Sequence, residues 1–369
     1  MMKHLAVPTE KRPPHPVPQG SAPPMEFWGS VTGIGSLPQV DPVAAVEFVA
    51  QHCPDVPFWP QLTQRAAEEY MLLQMLTPLL DLLHRQSPAR ILVRPGQLAA
   101  VRSRLRHTEA AFTEATAAGF FAFERSCAAG RFANARVLKG QISGPLTLGR
   151  CLWTEEWASD PQRQPPQWHA LLNDAAVMEE LTDYLCRLAT WQIERLQRFE
   201  KPVMIFVDEP ALTPALSTAA QLVYLRRVLE AIRNAGAIAG IHCCALGAAE
   251  ALLAAAPDVI SFDAHSELEA FMTTPALPDF LAAGGMLAPG MIPTFSDLTS
   301  LAPDDLFLRW SRALTLAGLD AGLVARRTLI TATCGLGLLP IEAAHASFEQ
   351  AQRLGFLVYL QAELADALA

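Results

Sequence analysis

Ala237-Ile238-Ala239-Gly240-Ile241-His242-Cys243-Cys244 reads as a short apolar strand that ends on an imidazole and two thiols. An alanine-rich helical stretch, Ala248–Ala256, follows it. Downstream, Leu329-Ile330-Thr331-Ala332-Thr333-Cys334-Gly335 ends a second apolar run on a cysteine. Between them, Asp258-Val259-Ile260-Ser261-Phe262-Asp263 ends a third on a carboxylate. Imidazole, thiolate and carboxylate are the donor types that bind zinc tetrahedrally, so His242, Cys244, Asp263 and Cys334 are the candidate ligands. Successive strand residues face opposite ways, which turns Cys243 away from Cys244 and into packing. His265 and Glu267 are rivals to Asp263, whose other role would be to support His242 from behind.

Working outward, further short apolar runs alternate with helical spacing. Expected strands are 30–34, 56–59, 137–142, 203–207, 237–241, 259–262, 286–289 and 328–333. Expected helices include 66–84, 98–119, 168–199, 219–234, 248–256 and 304–317. Eight buried runs separated by helices are the pattern of a parallel α/β barrel, a single (β/α)8 TIM barrel. Ile91–Val93 reads as part of an excursion between the second and third strands. Residues 1–27 carry Pro8, Pro13, Pro14, Pro16, Pro18, Pro23 and Pro24 and read as an irregular proline-rich N-terminal arm; residues 28–369 form the catalytic barrel domain.

Composition narrows the function classes. The chain has 369 residues, 51% hydrophobic, enough for a large core, and a net charge of −9 with no basic block. That balance argues against nucleic acid or an anionic membrane as partner. No run approaches roughly 18 apolar residues, and the first residues hold no apolar signal segment, so a cytoplasmic enzyme is the default expectation. The seven cysteines, at 53, 127, 151, 186, 243, 244 and 334, lack framework spacing for disulfides.

In such a barrel the chemistry sits at the carboxyl ends of the strands. Those ends carry Gly35-Ser36-Leu37-Pro38, Ser143-Gly144-Pro145-Leu146-Thr147, Asp208-Glu209-Pro210-Ala211-Leu212, His242-x-Cys244 and Thr333-Cys334-Gly335-Leu336. These motifs, in this order over most of residues 30–345, resemble the catalytic C-terminal half of cobalamin-independent methionine synthase. The likeness is greatest to the short "core" methionine synthases of the uroporphyrinogen decarboxylase/methionine synthase-like superfamily.

The resemblance implies a homocysteine methyltransferase with Zn2+ held by His242, Cys244, Cys334 and, where that family has a glutamate, Asp263. It implies that Ile34, Gly35 and Ser36 receive the amino-acid substrate and that Asp208, the expected catalytic carboxylate, takes its ammonium group. Glu209 is a further substrate candidate, or else caps the strand or pairs with an arginine. Gln61, Arg65 and Glu69 lie where the long enzyme has another substrate carboxylate. The tryptophan expected after Thr147 is missing from Leu148-Gly149-Arg150, and Met291-Ile292-Pro293-Thr294 replaces an expected histidine. The implied methyl donor is therefore methylcobalamin or a methylated corrinoid protein rather than folate. The alternatives are a methyltransferase for another thiol such as coenzyme M, a uroporphyrinogen decarboxylase-like enzyme, and a non-catalytic corrinoid-protein partner.

Overall fold

A computed structural model describes residues 26–156, 167–294 and 301–368. Residues 1–25 of the expected arm, Trp157 and most of the proline-rich 160–167 stretch lie outside them. Ten strands occur among the described residues: β1 Leu83–Ser87, β2 Arg90–Val93, β3 Leu138–Ser143, β4 Leu152–Glu156, β5 Gln167–Ala170, β6 Val203–Asp208, β7 Ile238–Cys243, β8 Val259–Phe262, β9 Met286–Ile292 and β10 Thr331–Ala332.

The main sheet has six strands in the order β10-β9-β8-β7-β6-β3, and every pairing in it is parallel. Parallel strands covered on both faces need apolar side chains on both, and β3, β6, β8 and β9 are buried throughout. Alternation sorts those side chains into two layers. Val203, Ile205, Val207, Ile260 and Leu287 join the large core under the helices. Met204, Phe206, Val259, Met286 and Ala288 form a smaller cluster with Phe27, Val56, Val137 and Leu329 on the concave face.

The sheet is curled and TIM-barrel-like, yet it is not the closed barrel of eight strands that the alternation predicts. The first two expected strands form no ladder. They make isolated parallel bridges only: Val31 with Ile330, Ser36 with Gln61, and Phe58 with Lys139. Pro57 and Pro60 supply no N–H to a ladder, and Gly29, Gly33 and Gly35 weaken an extended segment, which accounts for the loss. The expected strand at 328–333 shrinks to the two residues of β10.

Three further expectations change. The helix expected over 168–199 starts only at Ala175, after β5 and the short turn Leu171–Asn173. Residues 66–84 form short pieces, Ala67–Glu69, Met71–Met75 and Thr77–Leu82, with breaks at Tyr70 and Leu76, and the last two residues belong to β1. The 98–119 stretch divides into helices Leu98–His107 and Ala118–Ala128. The 91–93 excursion belongs to a separate four-stranded sheet, β1-β2-β4-β5, apart from the main one. There the Arg90 guanidinium lies 4.4 Å from the centre of the Trp153 ring, a cation–π contact that ties β2 to β4. Among the described residues no helix is long and apolar enough to cross a membrane.

Gly290, on β9, permits the closest backbone approach near the strand tips. A Cβ there would stand 2.7 Å from Thr333 Cα, 2.8 Å from the Ala332 carbonyl oxygen and 2.9 Å from that of Phe262. None of these is a flexible side-chain end, so the backbone itself would have to move. We expect Gly290→Ala to lower the unfolding free energy in urea by about 1–3 kcal/mol. An unchanged unfolding curve would contradict the close approach of the 332–334 segment.

Candidate metal centre

Because the main sheet is parallel, all its carboxyl ends lie on one side, and the candidate residues follow from that. His242 is the fifth residue of β7, and Cys244 follows the strand's last residue. Alternation turns both to the same face, with Cys243 between them on the other. Cys243 is buried, its sulfur 3.4 Å from the Leu212 carbonyl oxygen, and burial pushes its thiol up to about 12. Cys334 arrives from the far edge of the sheet, two residues after β10.

The structure brings three of the four expected ligands together. One donor atom each from His242, Cys244 and Cys334 lie within 4.8 Å of one another, and the two sulfurs are 3.8 Å apart. His242 is buried, whereas both cysteines are only partly buried, so the cluster opens toward solvent on their side. Ser261 on β8, a residue the sequence did not single out, lies 3.0 Å from His242 Nδ1. That contact orients the ring and leaves buried Nε2 without a hydrogen-bond partner. The only warning in the sequence was alternation: Ser261 stands beside His242 in register, on the same face.

The thiols are unequal. The hydrogen bond shared with Cys244 draws Cys334 down to about 4; burial opposes this and the His242 imidazole adds to it. Cys244 is displaced upward by the same bond and by burial. Two thiols, one of them drawn toward ionisation, beside an unpartnered imidazole nitrogen are a donor set that suits zinc, which binds thiolate sulfur and neutral imidazole. Elsewhere, burial raises Cys127, Cys151 and Cys186, which fits packing.

Asp263 does not join the cluster. Its side chain accepts from the Ser266 backbone N–H at 3.0 Å and caps helix Ala264–Met272. β8 ends at Phe262, and the chain turns there into the helix, which claims the carboxylate as its N-cap. Nor are His265 and Glu267 in the group. Glu267 places both oxygens 2.8 Å from the Gly247 backbone nitrogen.

Asp208, the last residue of β6, pairs in register with His242. It is buried, and Oδ1 has no hydrogen-bond partner. Burial raises its carboxyl to about 7, against the pull of His242 and Lys139. Glu209 is instead spent on structure. Its oxygens accept from the Leu146 and Thr147 backbone N–H groups at 2.9 and 2.7 Å and from Thr147 Oγ1 at 2.6 Å. They occupy the N-terminus of helix Pro145–Cys151, where backbone donors lack partners and attract a carboxylate.

Ser36 bridges to Gln61 on one side and accepts from Leu336 N–H at 2.9 Å through its carbonyl on the other. The Ile34–Ser36 turn therefore lies against the Cys334 segment; a Cβ on Gly335 would be 3.0 Å from Ser36 Cβ. Of the remaining candidates, Arg65 pairs with buried Glu69, and Gln61 Nε2 donates to Gln74 Oε1 at 2.9 Å.

No protein-family model matches the chain, and no curated protein does. Among solved structures, it is similar to a B12-independent methionine synthase from Shewanella sp. W3-18-1 in complex with selenomethionine. The two are 16% identical with a TM-score of 0.43, over 64% of this chain and 66% of that one. It is also similar to a methyltransferase from Methanosarcina mazei, at 11% identity and a TM-score of 0.46, over 92% of this chain and 94% of that one. Likenesses of this degree leave the activity to be argued from the chain's own residues.

The geometry separates the neighbouring cysteines. Cys334→Ser is expected to lower zinc bound after metal loading from one equivalent to well below half, while Cys243→Ser keeps a full equivalent. Metal analysis after gel filtration checks this. Equal zinc in both variants would remove Cys334 from the site.

Proposed function

We propose that the protein is a zinc-dependent methyltransferase that makes methionine from homocysteine, with methylcobalamin or a methylated corrinoid protein as donor. The observation that carries the reading is the grouping of His242, Cys244 and Cys334 beside Asp208, whose Oδ1 is buried and unpartnered. A carboxylate oxygen in that state suits an incoming cation, and homocysteine brings one within a few bonds of its thiol.

Zinc, when bound, holds a substrate thiol as thiolate at neutral pH, where a free thiol near 8.5 is mostly protonated. Three protein donors, His242, Cys244 and Cys334, are the number found in zinc sites that take substrate, whereas closed structural sites use four. Asp208 pairs with the substrate ammonium, and the arriving cation favours its ionised form. Ser36, with the adjoining backbone of Ile34 and Gly35, receives the carboxylate. Together these groups fix the α-amino-acid end and direct the sulfur at the other end toward the partly buried cysteines, so the methyl group is approached by an oriented nucleophile. A thiol lacking an ammonium group would leave the Asp208 oxygen unpaired, which favours homocysteine over coenzyme M.

The test is a methyl-transfer assay with the zinc-loaded protein, offering methylcobalamin and methyltetrahydrofolate separately, each with homocysteine or coenzyme M. Methionine formed from methylcobalamin and homocysteine is the expected result. Asp208→Asn is expected to reduce kcat/KM for homocysteine by about 100-fold. Turnover of coenzyme M with homocysteine inert, or no methyl transfer from either donor, would overturn the reading.

A further inference from the structure

We infer that Lys139 is a positioning residue, whose ammonium grips the Ile34 carbonyl and so sets the Ile34-Gly35-Ser36 turn that receives the amino-acid end of the substrate. Its functional arm rests on the homocysteine reading above.

Lys139 is the second residue of β3 and is fully buried on the concave face of the sheet, with Phe206 beside it. A buried ammonium is costly unless it is surrounded by acceptors. Here Nζ donates to the Ile34 carbonyl oxygen at 2.8 Å and to Gln141 Oε1 at 3.3 Å. It also lies 4.6 Å from the centre of the Phe206 ring and 5.8 Å from that of Phe58. Burial pulls the ammonium down to about 8, and the Asp208 carboxylate pushes it back up.

The rest of the surroundings hold this arrangement in place. Gln141, two residues along the same face, donates through Nε2 to the Trp59 carbonyl oxygen at 3.0 Å. Gly35 rests directly on the glutamines; a Cβ there would be 2.8 Å from Gln141 Cδ and from Gln61 Oε1. The turn thus sits on a buried polar floor with Lys139 at its base. A methionine would fill nearly the same volume with no charge to desolvate, and such replacements of buried ions are often neutral or stabilising. What the lysine adds is a donor that reaches the Ile34 carbonyl.

Lys139→Met and Lys139→Gln, compared with the unaltered zinc-loaded protein, test the inference through two readouts. Hydrogen exchange of the amides in residues 34–37 is expected to quicken by about tenfold or more, with β6 to β9 unchanged. The dissociation constant for methionine, measured by calorimetry, is expected to rise by about tenfold or more at unchanged zinc content. Wild-type exchange at 34–37, or equally faster exchange throughout the sheet, overturns the inference. Local exchange without weaker methionine binding also overturns it if the unaltered protein binds methionine. If the unaltered protein binds none, the homocysteine reading fails by itself and local exchange alone decides for or against the Lys139 grip. Failure of both variants to fold would make Lys139 a requirement of the core and would overturn the inference too.

Discussion

The curl of the main sheet is the constraint on which everything else depends. β7 and β10 are three positions apart in the strand order. Adjacent strands are spaced about 4.8 Å, so a flat sheet would hold these two about 14 Å apart. Two cysteine side chains cannot span that distance, yet the sulfurs of Cys244 and Cys334 stand 3.8 Å from each other. Curvature brings the far edge round, and Gly290 on the intervening β9 leaves room for residues 332–334 to lie close to the strand. The same segment then reaches the Ile34–Ser36 turn through the bond from Leu336 N–H to the Ser36 carbonyl. Metal donors and substrate turn are thereby held against each other.

The concave face divides along its length by chemistry. Toward the amino ends of the strands it is apolar apart from Lys139, built from Met204, Val259, Met286 and Leu329. Toward the carboxyl ends it becomes polar with Gln141, Ser143, Asp208, His242 and Ser261, all of them buried. Buried polar groups are costly when unpaired, and most of these have partners. The two that lack them, Asp208 Oδ1 and His242 Nε2, sit on in-register residues of neighbouring strands. Unsatisfied groups placed side by side on a rigid scaffold are what a binding site requires before its ligand arrives.

Much of this was legible in the sequence because parallel strands announce themselves twice, by apolar runs and by polar residues at their ends. The runs at 137–142, 203–207, 237–241, 259–262 and 286–289 all became strands of the main sheet, and alternation separated Cys243 from its neighbours. Ladder formation at 30–34 and 56–59 was not legible, since hydrophobicity does not record the missing N–H of Pro57 and Pro60. Asp263 departs from the expected ligand set for a related reason. Strand periodicity ends at Phe262, where a helix begins and uses the Asp263 carboxylate as its cap. The role of Lys139 needed three dimensions, because the Ile34 carbonyl that it grips lies 105 residues away.

X-ray absorption of the zinc-loaded protein tests the central claim most directly. Convergence of β7 and β10 predicts a first shell with two sulfurs at about 2.3 Å and a histidine nitrogen at about 2.0–2.1 Å. A shell of nitrogen and oxygen alone, or one with a single sulfur, would mean that Cys244 and Cys334 do not share an ion, and the account built on their meeting would be wrong.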